Sequence, residues 1–162
     1  MKKINIIFYL LAVMLIIAGS CSSSRQVKDQ ATKEEVMQAI NSDNWLFKAN
    51  VALSEYGSTR YLSSEYDVKL ASKTLEVSLP YFGRAYTASM SNQSPLQFKS
   101  TEFTYNKAED RPGSWLITIK PTDQREVQSM TFTFFESGNA QLNVALTNRS
   151  PINFTGFVGA AK

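Results

Sequence analysis

The 162-residue sequence contains no histidine and a single cysteine, Cys21. Without histidine the chain has no Ser-His-Asp triad, no Cys-His pair and no imidazole ligand for a metal ion. A single cysteine cannot form a disulfide within the chain, so the fold depends on its hydrophobic core. These absences remove the commonest catalytic and metal-binding groups, and we expect no catalytic residue, no metal and no cofactor.

The chain also lacks a strong excess of charge of either sign. It has 17 Lys and Arg against 14 Asp and Glu, a formal net charge of +3. If Lys2 and Lys3 are removed with an N-terminal segment, 15 basic residues remain against 14 acidic ones, or +1. Nucleic-acid-binding domains carry clustered basic residues instead. We therefore expect no nucleic-acid partner.

The N-terminus has the three parts of a bacterial secretory signal. A basic start precedes the mostly apolar residues 4–17, and the small residues Ala, Gly and Ser follow at 18–20. A membrane-spanning helix needs about 20 apolar residues, whereas this run is shorter and contains Asn5. We predict that residues 1–20 are a signal peptide.

Cys21 directly follows the small residues, in an arrangement that resembles a bacterial lipobox. The resemblance implies that its thiol receives a diacylglycerol and that cleavage leaves Cys21 as the first residue of the mature chain. Two or three palmitate-like chains would anchor it firmly, since each buried methylene contributes about 0.8 kcal/mol. Ser22 stands where an inner-membrane retention signal would have Asp. We expect the periplasmic face of the outer membrane, with display on the cell surface as the alternative.

The mature chain begins with a polar stretch and then a short helix. Residues 21–31, which are the lipidated cysteine and the polar residues after it, form a predicted flexible tether. Residues 32–162 form a predicted single β-rich domain. Thr32 and Glu35 have the spacing of a capping box. Val36, Met37 and Ile40 follow on one apolar stripe, which predicts one short helix packed on the sheet.

From Trp45 onward, apolar residues alternate with polar ones, as in strands with one buried face. The alternating runs begin at Trp45, Tyr66, Leu75, Phe98, Trp115, Met130, Leu142 and Ile152, and turn residues separate most of them. With no helices between them, neighbouring strands are expected to pair antiparallel. The prediction is a mainly β domain of about nine strands, and both a sandwich and a partly closed barrel fit the pattern.

The densest group of chemically interesting residues is the string LPYFGRAY at 79–86. Pro80 ends a strand and Gly83 permits positive φ, so we predict a turn here. Aromatic rings beside an arginine can stack on a sugar or hold a carboxylate or peptide, or they can cap the core instead. The candidate binding residues are Tyr81, Phe82, Arg84, Tyr86 and, from a second turn, Arg149.

The same string carries a family resemblance. Together with NRSPI at 148–152 and FTG at 154–156, it resembles a bacterial lipoprotein family, domain of unknown function 4251. The resemblance covers residues 45–158. It implies a lipoprotein with a β-rich domain and no particular activity.

We interpret the chain as a lipid-anchored cell-envelope protein, a non-enzymatic module that binds an envelope protein, a peptide or a glycan. One alternative is a glycan hydrolase, which needs two carboxyl groups in one cleft; the candidates are Glu65, Asp67, Glu76 and Glu102. Glu65 and Asp67 lie two positions apart and would share one face of a strand. A structural or assembly-accessory lipoprotein is the other alternative.

Overall fold

The alternating segments form strands, and the helical stripe forms a helix. The computed structural model describes residues 33–54, 57–63, 65–86 and 94–161. The elements are α1 (Lys33–Asn41), β1 (Trp45–Ser54), β2 (Thr59–Tyr61), β3 (Asp67–Ala71), β4 (Thr74–Ser78), β5 (Gln97–Ser100), β6 (Phe103–Arg111), β7 (Ser114–Pro121), β8 (Val127–Phe135), β9 (Asn139–Leu146) and β10 (Ile152–Ala160). The predicted signal peptide, Cys21 and the Thr32 cap lie outside the described residues.

These strands form one antiparallel sheet. Its order is β5-β4-β3-β1-β10-β9-β8-β7-β6, with β2 added beside β1. The sheet curls into a half-barrel. The predicted mainly β, antiparallel domain with one short helix is confirmed, with ten strands in the described part instead of about nine.

The curl of the sheet follows from an aromatic cluster on its inner face. Trp45 on β1 and Phe132 on β8 are three strands apart in the sheet, a spacing of about 14 Å along a flat sheet. Their ring centroids are nevertheless only 5.0 Å apart, in an edge-to-face arrangement. Phe47 and Phe134 complete the cluster, and all four residues are fully buried. The inner face therefore closes on itself and excludes water.

Helix α1 packs its apolar stripe onto this core, as predicted. Val36, Ala39 and Ile40 are buried, and the helix lies against β10. Its C-terminus has the hydrogen bonds of a Schellman motif, from Asn44 N–H to the Ala39 carbonyl (3.0 Å) and from Asp43 N–H to the Ile40 carbonyl (3.3 Å). Asp43 has a φ of 52°, where glycine is usual. An aspartate in this conformation costs about 1 kcal/mol relative to glycine.

The edge strand β6 binds the end of α1 through two side chains. Lys107 Nζ donates to the Ile40 carbonyl (2.8 Å) and to Asp43 Oδ1 (2.6 Å). Tyr105 donates from its hydroxyl to the same Asp43 oxygen at 2.7 Å. A cation at a helix C-terminus is favourable because it faces the negative end of the helix dipole. The helix has no basic residue in its own last turn, so β6 supplies the cation.

The partly buried Tyr105 hydroxyl makes stability depend on pH. Burial raises the pKa of the Tyr105 hydroxyl well above its ordinary value of 10.0, and Asp43 raises it further. The buried Trp45 indole N–H partly opposes this rise, although it makes no hydrogen bond of good geometry within the described residues. Because the folded-state pKa is raised, the stabilisation is complete below pH 10 and is lost as the pH rises above it.

We therefore expect Tyr105→Phe to cost about 1 kcal/mol at pH 8. Above about pH 10, wild-type stability should fall more steeply than that of the variant, by up to about 1.4 kcal/mol per pH unit. Urea unfolding of both proteins from pH 8 to about pH 11.5 measures the difference. Lys107 is present in both proteins, so its titration cancels in the comparison. A stability difference between the two proteins that stays constant with pH would contradict a raised pKa for Tyr105.

One predicted strand is wrong. The alternating run at residues 98–105 is divided at Thr101 and Glu102, and its two halves, β5 and β6, lie at opposite edges of the sheet. The buried Ser100 hydroxyl donates to Asp123 Oδ1 at 2.7 Å, and Thr122 N–H donates to the Glu102 carbonyl at 2.8 Å. The chain therefore turns here without a glycine or a proline.

Within the described residues, no helix is long and apolar enough to cross a membrane.

Candidate functional site

Residues 81–86 leave the end of β4 and run along the turn between β9 and β10. Ala85 forms an isolated antiparallel bridge with Arg149. The Ser150 N–H donates to the Arg84 carbonyl at 3.0 Å. The two sequence strings that carry the family resemblance are thus neighbours in the fold.

A closed set of hydrogen bonds joins the two segments. The Arg84 N–H donates to Ser150 Oγ at 3.1 Å, and that hydroxyl lies 3.2 Å from the Tyr81 hydroxyl. The Tyr81 hydroxyl lies 2.8 Å from the Ser150 carbonyl oxygen and 3.1 Å from that of Arg84. Each hydroxyl has one proton, so one arrangement satisfies the groups. The Arg84 N–H donates to Ser150 Oγ, the Ser150 hydroxyl donates to the Tyr81 hydroxyl oxygen, and the Tyr81 hydroxyl donates to the Ser150 carbonyl. Ser150 is fully buried, which makes these bonds costly to break.

Gly83 has a different role from the predicted one. Its φ is not positive, unlike those of Gly57, Gly113 and Gly138. A Cβ at Gly83 would instead overlap the Tyr81 hydroxyl and lie 2.6 Å from Ser150 Oγ. Glycine is therefore required here because the Tyr81 side chain passes directly over the backbone.

We expect Gly83→Ala to displace the Tyr81 hydroxyl and to destabilise the domain by roughly 2 kcal/mol, the net worth of two hydrogen bonds at a part-buried site. Tyr81→Phe removes the same two hydrogen bonds without the steric overlap, so it should also cost about 2 kcal/mol, and any further loss in Gly83→Ala measures the overlap itself. Urea unfolding of the two variants measures the difference. Equal stability of Gly83→Ala and the wild type would show that the contact between residue 83 and Tyr81 does not constrain the fold.

Arg149 packs against the Tyr81 ring and helps to hold residues 81–86 in place. Its guanidinium carbon lies 5.4 Å from the centre of the Tyr81 ring, and its Nε donates to Glu126 at 3.2 Å. The Arg149 side chain is only 13% exposed. Of the predicted binding residues, Tyr81 and Arg149 therefore hold the segment in place, through the Tyr81 hydroxyl and Arg149 Nε.

The remaining predicted residues face solvent to different degrees. Tyr86 is 62% exposed, Arg84 is exposed, and Phe82 is half-buried against the core. The Arg60 guanidinium stacks over the Phe82 ring at 4.5 Å from its centre. Short strand β2 positions Arg60 by pairing with β1. We call Arg60, Phe82, Arg84 and Tyr86 the arginine–aromatic surface.

The four acidic residues of the hydrolase alternative do not gather in one cleft. Glu65 lies exposed in the turn before β3, not on the strand, so the predicted shared strand face with Asp67 is wrong. Glu102 is exposed in the turn before β6. Asp67 and Glu76 lie on the outer face of β3 and β4, diagonal to each other.

Lysines lie opposite the two acids on that outer face. Asp67 lies opposite Lys48, and Glu76 lies opposite Lys69 and Lys99. Burial raises the pKa of Asp67, and the neighbouring lysines partly offset the rise. The hydrogen bond from Lys99, at 2.7 Å, lowers the pKa of Glu76. Opposite charges that face each other across neighbouring strands are the arrangement expected of a solvated sheet face.

Three residues of this region were not predicted from the sequence. Arg60 lies in a strand too short for its alternation to be seen, and Glu126 lies in a turn before β8. Ser150 belongs to the NRSPI string, but nothing in the sequence indicates that its side chain is fully buried.

Among the described residues, no group of three His, Cys, Asp or Glu side chains is arranged to hold a metal ion.

The sequence matches a family model, and the fold is similar to that of a solved structure. The family model described as "Domain of unknown function (DUF4251)" matches residues 27–158. The fold is similar to the crystal structure of a DUF4251 family protein from Bacteroides eggerthii, with a TM-score of 0.57 and 12% identity over 79% of this chain and 87% of that chain. At this identity the likeness shows a common fold alone, and no curated protein matches the chain. Because the family model covers most of the sequence, the chain belongs to the DUF4251 family.

Proposed function

We propose that the protein is a lipid-anchored cell-envelope protein that binds an anionic partner through the arginine–aromatic surface. The observation that carries the proposal is the contrast within one segment. Tyr81 is held by buried hydrogen bonds, whereas Arg84 and Tyr86, a few residues on, are exposed. A fixed turn that presents exposed charged and aromatic side chains loses little conformational entropy on binding.

The chemistry of the surface favours a partner with carboxylate groups. A guanidinium stacked on a ring, as Arg60 is on Phe82, leaves the N–H groups at its edge directed sideways. Those groups match a carboxylate in a bidentate geometry. Tyr86 adds a large amphipathic side chain of the kind that is enriched at binding hot spots. We favour a peptide or protein segment that carries Asp, Glu or a C-terminal carboxylate.

The location of the domain follows from the predicted anchor. Lipidated Cys21 would attach the chain to the membrane, and the ten-residue tether at 22–31 would keep the domain within about 20 Å of the lipid. The proposed site is the periplasmic face of the outer membrane. The partner is then another envelope component, close to the bilayer.

Photocrosslinking in intact cells tests the proposal. A photoreactive amino acid at the exposed Ala85 position of the full-length protein should give a discrete adduct. Arg84→Ala/Tyr86→Ala should lower its yield about tenfold or more, because two hot-spot side chains each contribute more than 1 kcal/mol. Tyr81 is left unchanged, since its substitution would disturb the fold.

A matched pair of substitutions provides the control. Arg111→Ala/Phe157→Ala removes an exposed arginine and an exposed aromatic ring from β6 and β10 and should leave the adduct unchanged. An unchanged adduct in Arg84→Ala/Tyr86→Ala, or an equal loss in the control, would reject this surface as the binding site.

A further inference from the structure

A cleft lies at the end of α1, between the β3–β4 turn and the start of β6. The cleft has a volume of about 700 Å³, within the range of small-molecule binding sites. Leu70, Phe103 and Tyr105 contribute its apolar side, and these three side chains are buried or half-buried. The cleft shares no lining residue with the arginine–aromatic surface.

Three residues with unfavourable backbone conformations line this one cleft. Asp43, Ser72 and Lys73 have φ values of 52°, 49° and 59°, and they are the non-glycine residues with positive φ in the described part of the chain. All three belong to the lining. Strained conformations of this kind concentrate at binding sites, where a side chain is needed despite its cost.

The turn at Ser72 and Lys73 has an uncommon sequence for its conformation. It is a two-residue connection, because Ala71 and Thr74 pair directly across β3 and β4. With positive φ at both positions it is a type I′ turn, for which Asn-Gly is the strongly preferred sequence. Ser-Lys places a hydroxyl and an ammonium group at the cleft where a more stable turn would have neither.

The rim of the cleft offers uncommitted polar groups. Within the described residues, the side chains of Asn44, Ser72, Lys73 and Thr101 line the cleft and make no hydrogen bond to other protein groups. They supply an amide, two hydroxyls and an ammonium group, so donors and acceptors are both present. Asp43 is the acid at the rim, and Lys107 already balances its charge.

We propose that this cleft binds a short saccharide. A sugar ring has an apolar face of C–H groups, which fits Phe103 and Tyr105, and a perimeter of hydroxyls that both donate and accept hydrogen bonds. The rim provides both kinds of group in mostly uncharged form. A phosphate or a nucleic acid would require several cations, whereas Lys73 is the single basic residue of the lining. This inference does not depend on the proposed partner at the arginine–aromatic surface.

The test uses the full-length protein in detergent micelles and three probes: maltotriose, chitotriose and trigalacturonate. We expect at least one of them to shift the amide resonances of residues 72–73 and 101–105 in ¹H–¹⁵N spectra, saturably in the millimolar range or below. The neutral, acetamido and carboxylate probes separate the kinds of saccharide. If none of the three shifts these resonances, the proposal is wrong.

Two variants separate binding from stability. Ser72→Asn/Lys73→Gly introduces the preferred turn sequence and should raise the midpoint of thermal unfolding by a few degrees. The same variant should lower the affinity for the saccharide probe about fivefold or more. Thr101→Ala leaves the turn intact and should also weaken binding, which keeps the test decisive if the first variant folds poorly. The exposed Lys99→Ala, outside the cleft, is the control and should bind as the wild type does. Unchanged affinity in both cleft variants would overturn the assignment.

Discussion

Replacing Gly156 with alanine is expected to destabilise the domain strongly. Gly156 on β10 lies opposite Ala49 on β1, at a point where the register shifts between Ala49 and Val51. A Cβ at Gly156 would overlap the carbonyl oxygen of Lys48 and lie 3.1 Å from the Ala49 Cα. Backbone atoms held in a sheet cannot rotate away as a side chain can. The two central strands would therefore have to separate.

The position of this contact in the sheet makes the effect large. The β1–β10 pair joins strands β3, β4 and β5 on one side to strands β6 to β9 on the other. We expect Gly156→Ala to lower the free energy of unfolding by roughly 3 kcal/mol or more, a large fraction of the 5–15 kcal/mol typical of a domain. Urea denaturation followed by circular dichroism measures it.

Gly57→Ala is the matched control for this substitution. Gly57 has a φ of 78°, but a Cβ there would meet no atom within 4 Å. That variant should lose only about 1 kcal/mol, from the left-handed backbone. If Gly156→Ala were as stable as Gly57→Ala, the close approach of β10 to Lys48 would not be a constraint on this sheet.

Phe132→Ala is the second substitution from which we expect a large loss of stability. The Phe132 ring contacts Trp45 at 5.0 Å, Phe47 at 5.8 Å and Phe134 at 5.5 Å between centroids. Removing it would leave a cavity among three large side chains that cannot collapse into it. Substitutions of this kind cost about 3–5 kcal/mol.

The exposed Phe157 on β10 provides the comparison. It is 41% exposed, so Phe157→Ala should change stability by less than about 1 kcal/mol. Thermal or urea unfolding of the two variants side by side distinguishes burial of the ring from the mere loss of a phenyl group. Similar losses in both variants would contradict the role given to the inner-face aromatic cluster.

Most strands were predictable from the sequence because one face of the curled sheet is buried. The alternation around Phe132 and Leu142 marks strands without reference to the rest of the chain. The division of residues 98–105 was not predictable, since it depends on the contact of Ser100 with Asp123, 23 residues away. Nor was the turn at Ser72 and Lys73, which lacks the residues that usually mark a hairpin.

The candidate site was predictable in part. The concentration of aromatic residues and arginine at 81–86 and the turn before β10 are both visible in the sequence. These two segments meet through hydrogen bonds between residues that are separated by 66 and 69 positions in the sequence. No local sequence pattern encodes such contacts. The division of roles, with Tyr81 and Arg149 engaged internally and Arg84 and Tyr86 exposed, follows from side-chain burial in the folded chain.

The most direct test of the functional proposal concerns the N-terminus, because a partner in the envelope requires the domain to be there. The protein should be extracted with detergent from the membrane fraction of its native cells, and its intact mass measured. We expect a chain that begins at Cys21 and carries a diacylglycerol, while Cys21→Ser remains uncleaved or is not lipidated. A full-length wild-type chain with a free thiol at Cys21 would contradict the account.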